Sequence, residues 1–346
     1  MYTRVAAYLS VMLALTSVQT NAQAVRDVFK QVNQAVVVVY TAERTIEQHD
    51  PTQLVSVGGV GSGFLISHNG DVMTAAHVVH AADRIVVEFQ SGERIPARVV
   101  GSDPSADVAL LKLEHRPTGV VPVTLGNSDL AEIGDEVFII GAPLGVSHTL
   151  TVGHISARRT PNRTIGGMYR AEFLQTDAAI NQGNSGGPMF NMNGEAIGIV
   201  SHIISQTGGF TGLGFVVTSN VAKDLLIDNP SPTLGIDGVW LSEALAAALN
   251  VPQKSGVLVQ RVARGSLGEE LGLRGGGLSI SIGEQSLIVG GDVLLETLGV
   301  QMDGTIESFD RIRQLAQGLR PGDPITVTVL RAGQRIELTG IYAPRF

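Results

Sequence analysis

Residues 176–188 read Thr176-Asp177-Ala178-Ala179-Ile180-Asn181-Gln182-Gly183-Asn184-Ser185-Gly186-Gly187-Pro188, a single serine set among three glycines. A serine hydroxyl is a weak nucleophile. To attack a carbonyl it needs a base beside it and donors aimed at the oxyanion that forms. The backbone turn Gly183-Asn184-Ser185 is placed to supply those donors as N–H groups, above all those of Gly183 and Ser185. Glycine at 183 permits the unusual backbone angles such a turn needs, and Gly186-Gly187 leave room for a chain to pass close by. Ser185 is the candidate nucleophile. A tight glycine-rich turn between two strands would account for the same stretch without any chemistry, so the decision lies upstream.

Upstream, Asp71-Val72-Met73-Thr74-Ala75-Ala76-His77-Val78-Val79 places a histidine just after an apolar strand. Asp103-Pro104-Ser105-Ala106-Asp107-Val108-Ala109-Leu110-Leu111-Lys112-Leu113 places an aspartate just before another. The order His77, Asp107, Ser185 is one of the chain orders in which a Ser-His-Asp triad is built. His77 then acts as base and afterwards as acid. Two aspartates compete for the third role; Asp103 precedes a proline and opens the turn through its own side chain, leaving Asp107 to orient His77. His68, His80, His148, His154 and His202 show no metal-ligand spacing.

These segments, with Gly61-Ser62-Gly63-Phe64 and Gly183-Asn184-Ser185-Gly186-Gly187-Pro188, resemble the HtrA (Deg) serine proteases, from about Val25 to the C-terminus. The resemblance implies a mainly β chain: a chymotrypsin-like double β-barrel followed by an α+β PDZ domain. It also implies no metal, no ATP and no other cofactor, assembly as a homotrimer or higher oligomer, and protein quality control or stress signalling outside the cytoplasm, in a periplasm or its equivalent. Misfolded or unfolded proteins are the implied substrates. Asp107 matches the family's acid, while Asp177 takes a structural role. Gln182 departs from the proline common there, which bears on the resting conformation of the oxyanion turn.

Trypsin-like enzymes that cut after Lys or Arg carry an aspartate six residues before the nucleophile; here that position is Ala179, so the specificity pocket is expected to take small or medium aliphatic side chains. Farther along, Thr233-Leu234-Gly235-Ile236 resembles the carboxylate-binding loop of a PDZ domain, where successive amides hold the C-terminus of a peptide. The helical pattern Thr305–Leu319 puts Phe309, Ile312 and Ala316 on one face as a groove wall for such C-terminal peptides.

Composition agrees with a two-domain, β-rich chain. At 346 residues there is length for two cores, and 42 glycines punctuate short valine- and isoleucine-rich runs. The absence of cysteine excludes disulfide staples, a thiol nucleophile and a cysteine-type zinc site. A formal net charge of −8 with no basic run leaves no footprint for nucleic acid or an anionic membrane surface. Residues 1–24 read as a secretory signal: Arg4, an apolar run Val5–Val18, then Ala22-Gln23-Ala24. The run is short of the roughly 18–20 residues that span a bilayer, so cleavage is expected; a retained anchor would make this a membrane-tethered signalling protease.

The expected domains are 25–228 for the protease, 229–232 as a linker broken by Pro230 and Pro232, and 233–346 for the PDZ domain, with an insertion near 274–290. Residues 42–58 are polar and read as a surface loop; Ser219–Asp228 reads as a helix capped by Ser219 or Asn220. A chaperone-like scaffold that binds unfolded chains with little turnover is the alternative from another class.

Overall fold

Val36-Val37-Val38-Val39 are all but inaccessible to solvent. A β-branched run buried on both faces is what a barrel strand requires. In the computed structural model, which describes residues 25–46, 54–79, 81–142, 148–159, 172–203, 211–282 and 285–343, this run opens strand β1 (Val36–Ile46). The expected signal at 1–24 and His80 lie outside the described residues.

Strand β1 pairs antiparallel with β2 (Leu54–Leu65) over its full length, from Val36 opposite Phe64 to Ile46 opposite Leu54. The expected loop over 42–58 is thus corrected at 42–46 and 54–58, which are strand; residues 47–53 lie outside the described residues. Main-chain hydrogen bonds carry such a ladder past the point where hydrophobic alternation stops, and alternation is all that the sequence pattern registers. With β3 (Asp71–Thr74), β4 (Arg84–Glu88), β5 (Arg94–Asp103) and β6 (Val108–Leu113), these strands close a barrel in the order β1-β2-β3-β6-β5-β4. A helix over residues 25–32 (α1) leads into it, and Val32 belongs to its core.

The second barrel contains β7 (Glu136–Gly141), β8 (Thr149–Arg159), β9 (Phe173–Thr176), β10 (Pro188–Phe190), β11 (Ala196–Ile203) and β12 (Gly214–Thr218). It closes as β10-β11-β12-β9-β8-β7, so neither barrel leaves a sheet edge open. Phe138 and Phe190 stack with centroids 5.0 Å apart and join the same core cluster as Phe64 and Leu111 of the first barrel. The two barrels thus share one apolar core.

A short helix, α2 (Ala76–Val79), sits between β3 and β4 and carries His77. After β12 comes α3 (Ser219–Lys223), running on into a π-turn, Asp224–Asp228. Its N-cap is Thr218, whose side chain makes no capping bond, which corrects the expected cap at Ser219 or Asn220. The Ser219 hydroxyl is instead used to donate to the Gly126 carbonyl at 2.7 Å, a tertiary demand that local capping rules do not see.

Beyond residue 232 a separate sheet forms from β13 (Ile236–Trp240), β14 (Val257–Val262), β17 (Val293–Thr297), β19 (Pro324–Arg331) and β20 (Gln334–Ile341), with β18 (Val300–Gln301) beside β17. Three helices accompany it: α4 (Glu243–Ala248), α5 (Leu267–Leu271) and α6 (Ile306–Gln317). This is the α+β arrangement expected of a PDZ domain. Helix α6 starts where Thr305 accepts from the Ser308 amide at 3.2 Å. The insertion near 274–290 forms a hairpin, β15 (Leu278–Ile282) with β16 (Gln285–Val289). Gln260 ties it to β14, its carbonyl accepting from Gly276 N at 2.9 Å and its side-chain Oε1 from Ile288 N at 2.7 Å.

Candidate active site

The turn after β5 decides where the acid goes. The Asp103 carboxylate accepts from the Ser105 amide at 2.9 Å and from the Ser105 hydroxyl, the side-chain turn expected of it. Its own carbonyl accepts from Ala106 N at 3.2 Å, and Pro104 O accepts from Asp107 N at 3.3 Å. The turn delivers Asp107 in the left-handed region, at φ 55°. That conformation costs a non-glycine residue on the order of 1 kcal/mol and persists only where its surroundings fix it.

They do so here with three donors. Both carboxylate oxygens of Asp107 lie 2.9 Å from His77 Nδ1, and Oδ1 also accepts from the His77 backbone amide at 3.0 Å. The Ser201 hydroxyl donates to Oδ2 at 2.5 Å. Burial alone would push this carboxyl up; the hydrogen bond and charge of His77, the Ser201 hydroxyl and the His77 amide together outweigh it, and the group sits below the usual carboxylate range. With Asp107 accepting at Nδ1, the imidazole is held with its proton on that nitrogen, which leaves Nε2 as the acceptor.

Ser185 follows the tight turn after β9. Its Oγ points to the Ser201 carbonyl, 3.4 Å away, a long contact that a hydroxyl rotor gives up readily. The backbone around it is pinned: Ser185 O accepts from Ser62 N at 2.8 Å and Gly183 O from Ser62 Oγ at 2.7 Å. Gly183 stands at φ 102°, where a side chain would strain the chain. At Gly186, φ 83°, a Cβ would run into Thr74 Oγ1 and the Ser62 carbonyl. Among the described residues, nothing accepts from the amides of Gly183 or Ser185. The Asn184 amide, by contrast, donates to Asn181 O at 3.0 Å. Asn184 therefore leaves the expected set of oxyanion donors, since a turn of this tightness bends the middle amide back on itself; Gly183 and Ser185 remain.

Ala179 is half-buried, its carbonyl accepting from Thr151 Oγ1 at 3.0 Å, and Ile180 beside it is buried. Asp177 accepts from the His154 amide at 2.6 Å, the structural role expected of it. Among the described residues no group of histidines and carboxylates is arranged to hold a metal ion. Ser201 is the residue that sequence reading missed; the signal was a lone hydroxyl side chain ending the apolar run Ile197-Gly198-Ile199-Val200.

The carboxylate loop shares one cleft of about 460 Å³ with His77 and Asp107; Ser185 is not among the residues lining it. Its lining includes His77, Asp103 and Asp107, the loop Thr233–Ile236, and Phe309, Ile312 and Ala316 of α6. Phe309 packs edge-on against Trp240 at 4.6 Å. Gly235 stands at φ 66° with its amide donating to Thr233 Oγ1 at 3.3 Å.

Residues 61–199 match the trypsin-like peptidase domain family. A probable periplasmic serine endoprotease DegP-like of Ectopseudomonas mendocina (strain ymp) is 35% identical over 285 residues, covering 81% of this chain and 55% of that protein. Its namesake in Chlamydia trachomatis serovar D is 37% identical over 298 residues, covering 84% and 55% respectively. The chain thus spans about half the length of these relatives. Among solved structures, the HtrA-type protease AlgW with decapeptide matches at a TM-score of 0.52 and 30% identity, covering 92% of this chain and 99% of the other. AlgW with tripeptide matches at 0.52 and 31% identity, covering 92% and 98%. Similarity over nearly the whole of this chain and of these solved structures, on a double barrel, places this chain in the HtrA family of serine proteases.

Proposed function

We propose that the chain is a serine endopeptidase that degrades misfolded or unassembled proteins outside the cytoplasm without ATP. The observation that carries this is the buried Asp107 carboxylate holding His77 Nδ1 from both oxygens, with Ser185 behind a pinned turn whose Gly183 and Ser185 amides donate to none of the described residues. Ser185 Oγ attacks the scissile carbonyl while His77 Nε2 takes its proton; the oxyanion is held by the two amides. Collapse expels the amine, protonated by His77, and leaves an acyl-enzyme that water hydrolyses by the same proton path. Asp107 stabilises the imidazolium throughout. The extracytoplasmic setting is supported by the periplasmic names of the relatives; no described helix is long and apolar enough to cross a membrane.

Turnover of casein by the purified chain tests the activity, and a census of cleavage sites tests the pocket. With Ala179 where a charged floor would be, Lys or Arg would lose solvation without a partner, so small and medium aliphatic residues are expected at the cleaved position. A census dominated by Lys and Arg would overturn the pocket assignment.

The C-terminal unit, in this reading, binds free C-terminal peptides: the loop Thr233–Ile236 takes the carboxylate and the chain adds beside β13 against α6. Binding is expected to raise protease activity by about 5–150-fold, the usual range of coupling between sites. Amidation of the peptide is expected to abolish binding. A short chromogenic substrate measured with and without saturating peptide separates this from tethering, which would leave its kcat/KM unchanged.

A further inference from the structure

We infer that Arg313, on α6 of the C-terminal unit, is a positioning residue for the triad, acting through Asp103 at the start of the turn that presents Asp107. The inference rests on the protease reading above. Arg313 is largely buried, and its guanidinium meets the first domain at two carboxylates and the linker at one carbonyl. Nη1 lies 3.7 Å from Asp103 Oδ2, and Nη2 lies 3.6 Å from Asp224 Oδ2 and donates to the Asn229 carbonyl at 3.2 Å. Gln317, one turn on, donates to the same carbonyl at 2.8 Å.

Asp103 divides its carboxylate between two tasks. Oδ1 closes the turn by accepting from Ser105, and Oδ2 faces Arg313. Asp107 at the end of that turn keeps a left-handed φ of 55°, a conformation that relaxes when its supports are removed. A guanidinium suits this task because its spread charge lies near two carboxylates while one N–H donates to a carbonyl, an arrangement a compact ammonium does not reproduce. Phe309 and Arg313 are four residues apart on α6 and both line the cleft. The helix that walls the peptide groove is therefore also the one that braces the acid's turn.

The test uses the full chain and a short chromogenic peptide, with kcat expressed per active site titrated by a fluorophosphonate. Arg313→Gln is expected to lower kcat about tenfold, equivalent to about 1.4 kcal/mol, with KM little changed. Asp103→Asn is expected to give a similar loss, the double variant to be no worse than either single one, and Arg313→Lys to fall between Gln and wild type. Wild-type kcat per titrated site in Arg313→Gln, or losses that multiply in the double variant, would overturn the inference. Thermal midpoints are recorded alongside; if Arg313→Gln does not fold, Asp103→Asn and Arg313→Lys decide, and unimpaired kcat in both overturns it. An inactive wild type would remove the protease reading itself, whereas an active wild type with unimpaired variants removes this inference alone.

Discussion

Ser185→Ala and His77→Ala are each expected to lower kcat by on the order of 10⁶, and the double variant is expected to be no slower than either. The two groups act as a unit: without His77 nothing takes the hydroxyl proton, and without Ser185 there is no hydroxyl to activate. Folding should survive both changes. The Ser185 side chain makes one long hydrogen bond, 3.4 Å to Ser201 O, and the turn around it is held through backbone atoms that alanine retains. Steady-state turnover of casein, with circular dichroism to confirm the fold, checks the expectation. A chaperone-like scaffold would bind unfolded chains equally well after Ser185→Ala, so retained clearance of substrate by that variant would favour binding over cleavage.

Asp107→Asn is expected to cost about 10⁴ in kcat while leaving the site's geometry in place. An amide at 107 can turn its NH₂ toward Nδ1 and stabilise the tautomer with the proton on Nε2, where it blocks the uptake of the Ser185 proton. The contrast is with Asp103→Asn, for which about tenfold is expected. If Asp103→Asn destroyed activity and Asp107→Asn spared it, the two aspartates would have to exchange roles. Acidity supplies an independent check. The Asp107 carboxyl is held below its ordinary range in the folded chain, so its contribution to stability is present above the unfolded value of about 3.9 and is lost as pH falls through the folded one. Asp107→Asn should therefore flatten the acid limb of stability against pH.

A β-rich chain was legible because barrel strands bury both faces and so appear as short apolar runs, as in β7 and β9, while their closing into two barrels was what the family resemblance implied. The pairing of β1 with β2 past Ala42 was not, because a ladder of main-chain bonds leaves no trace in side-chain character. Helix α5 went unseen for another reason: five residues are too few to show a period, and its caps, Ser266 and the left-handed Gly272, are what announce it.

The residue types and order of the site were set by the sequence alone: a serine in a glycine turn, a histidine after one apolar strand and an aspartate before another, each with its chemistry implied by type. Tertiary structure decided what no spacing encodes. It brought the Ser201 hydroxyl, 94 residues from Asp107, onto the acid, and bent the Asn184 amide back to Asn181 so that two donors remain instead of three. It also laid α6 against the turn of Asp103, across a chain separation of more than two hundred residues. Hydrogen-bond direction and charge proximity depend on where backbones lie in space, and those positions follow from the closing of two barrels and the docking of a third sheet beside them.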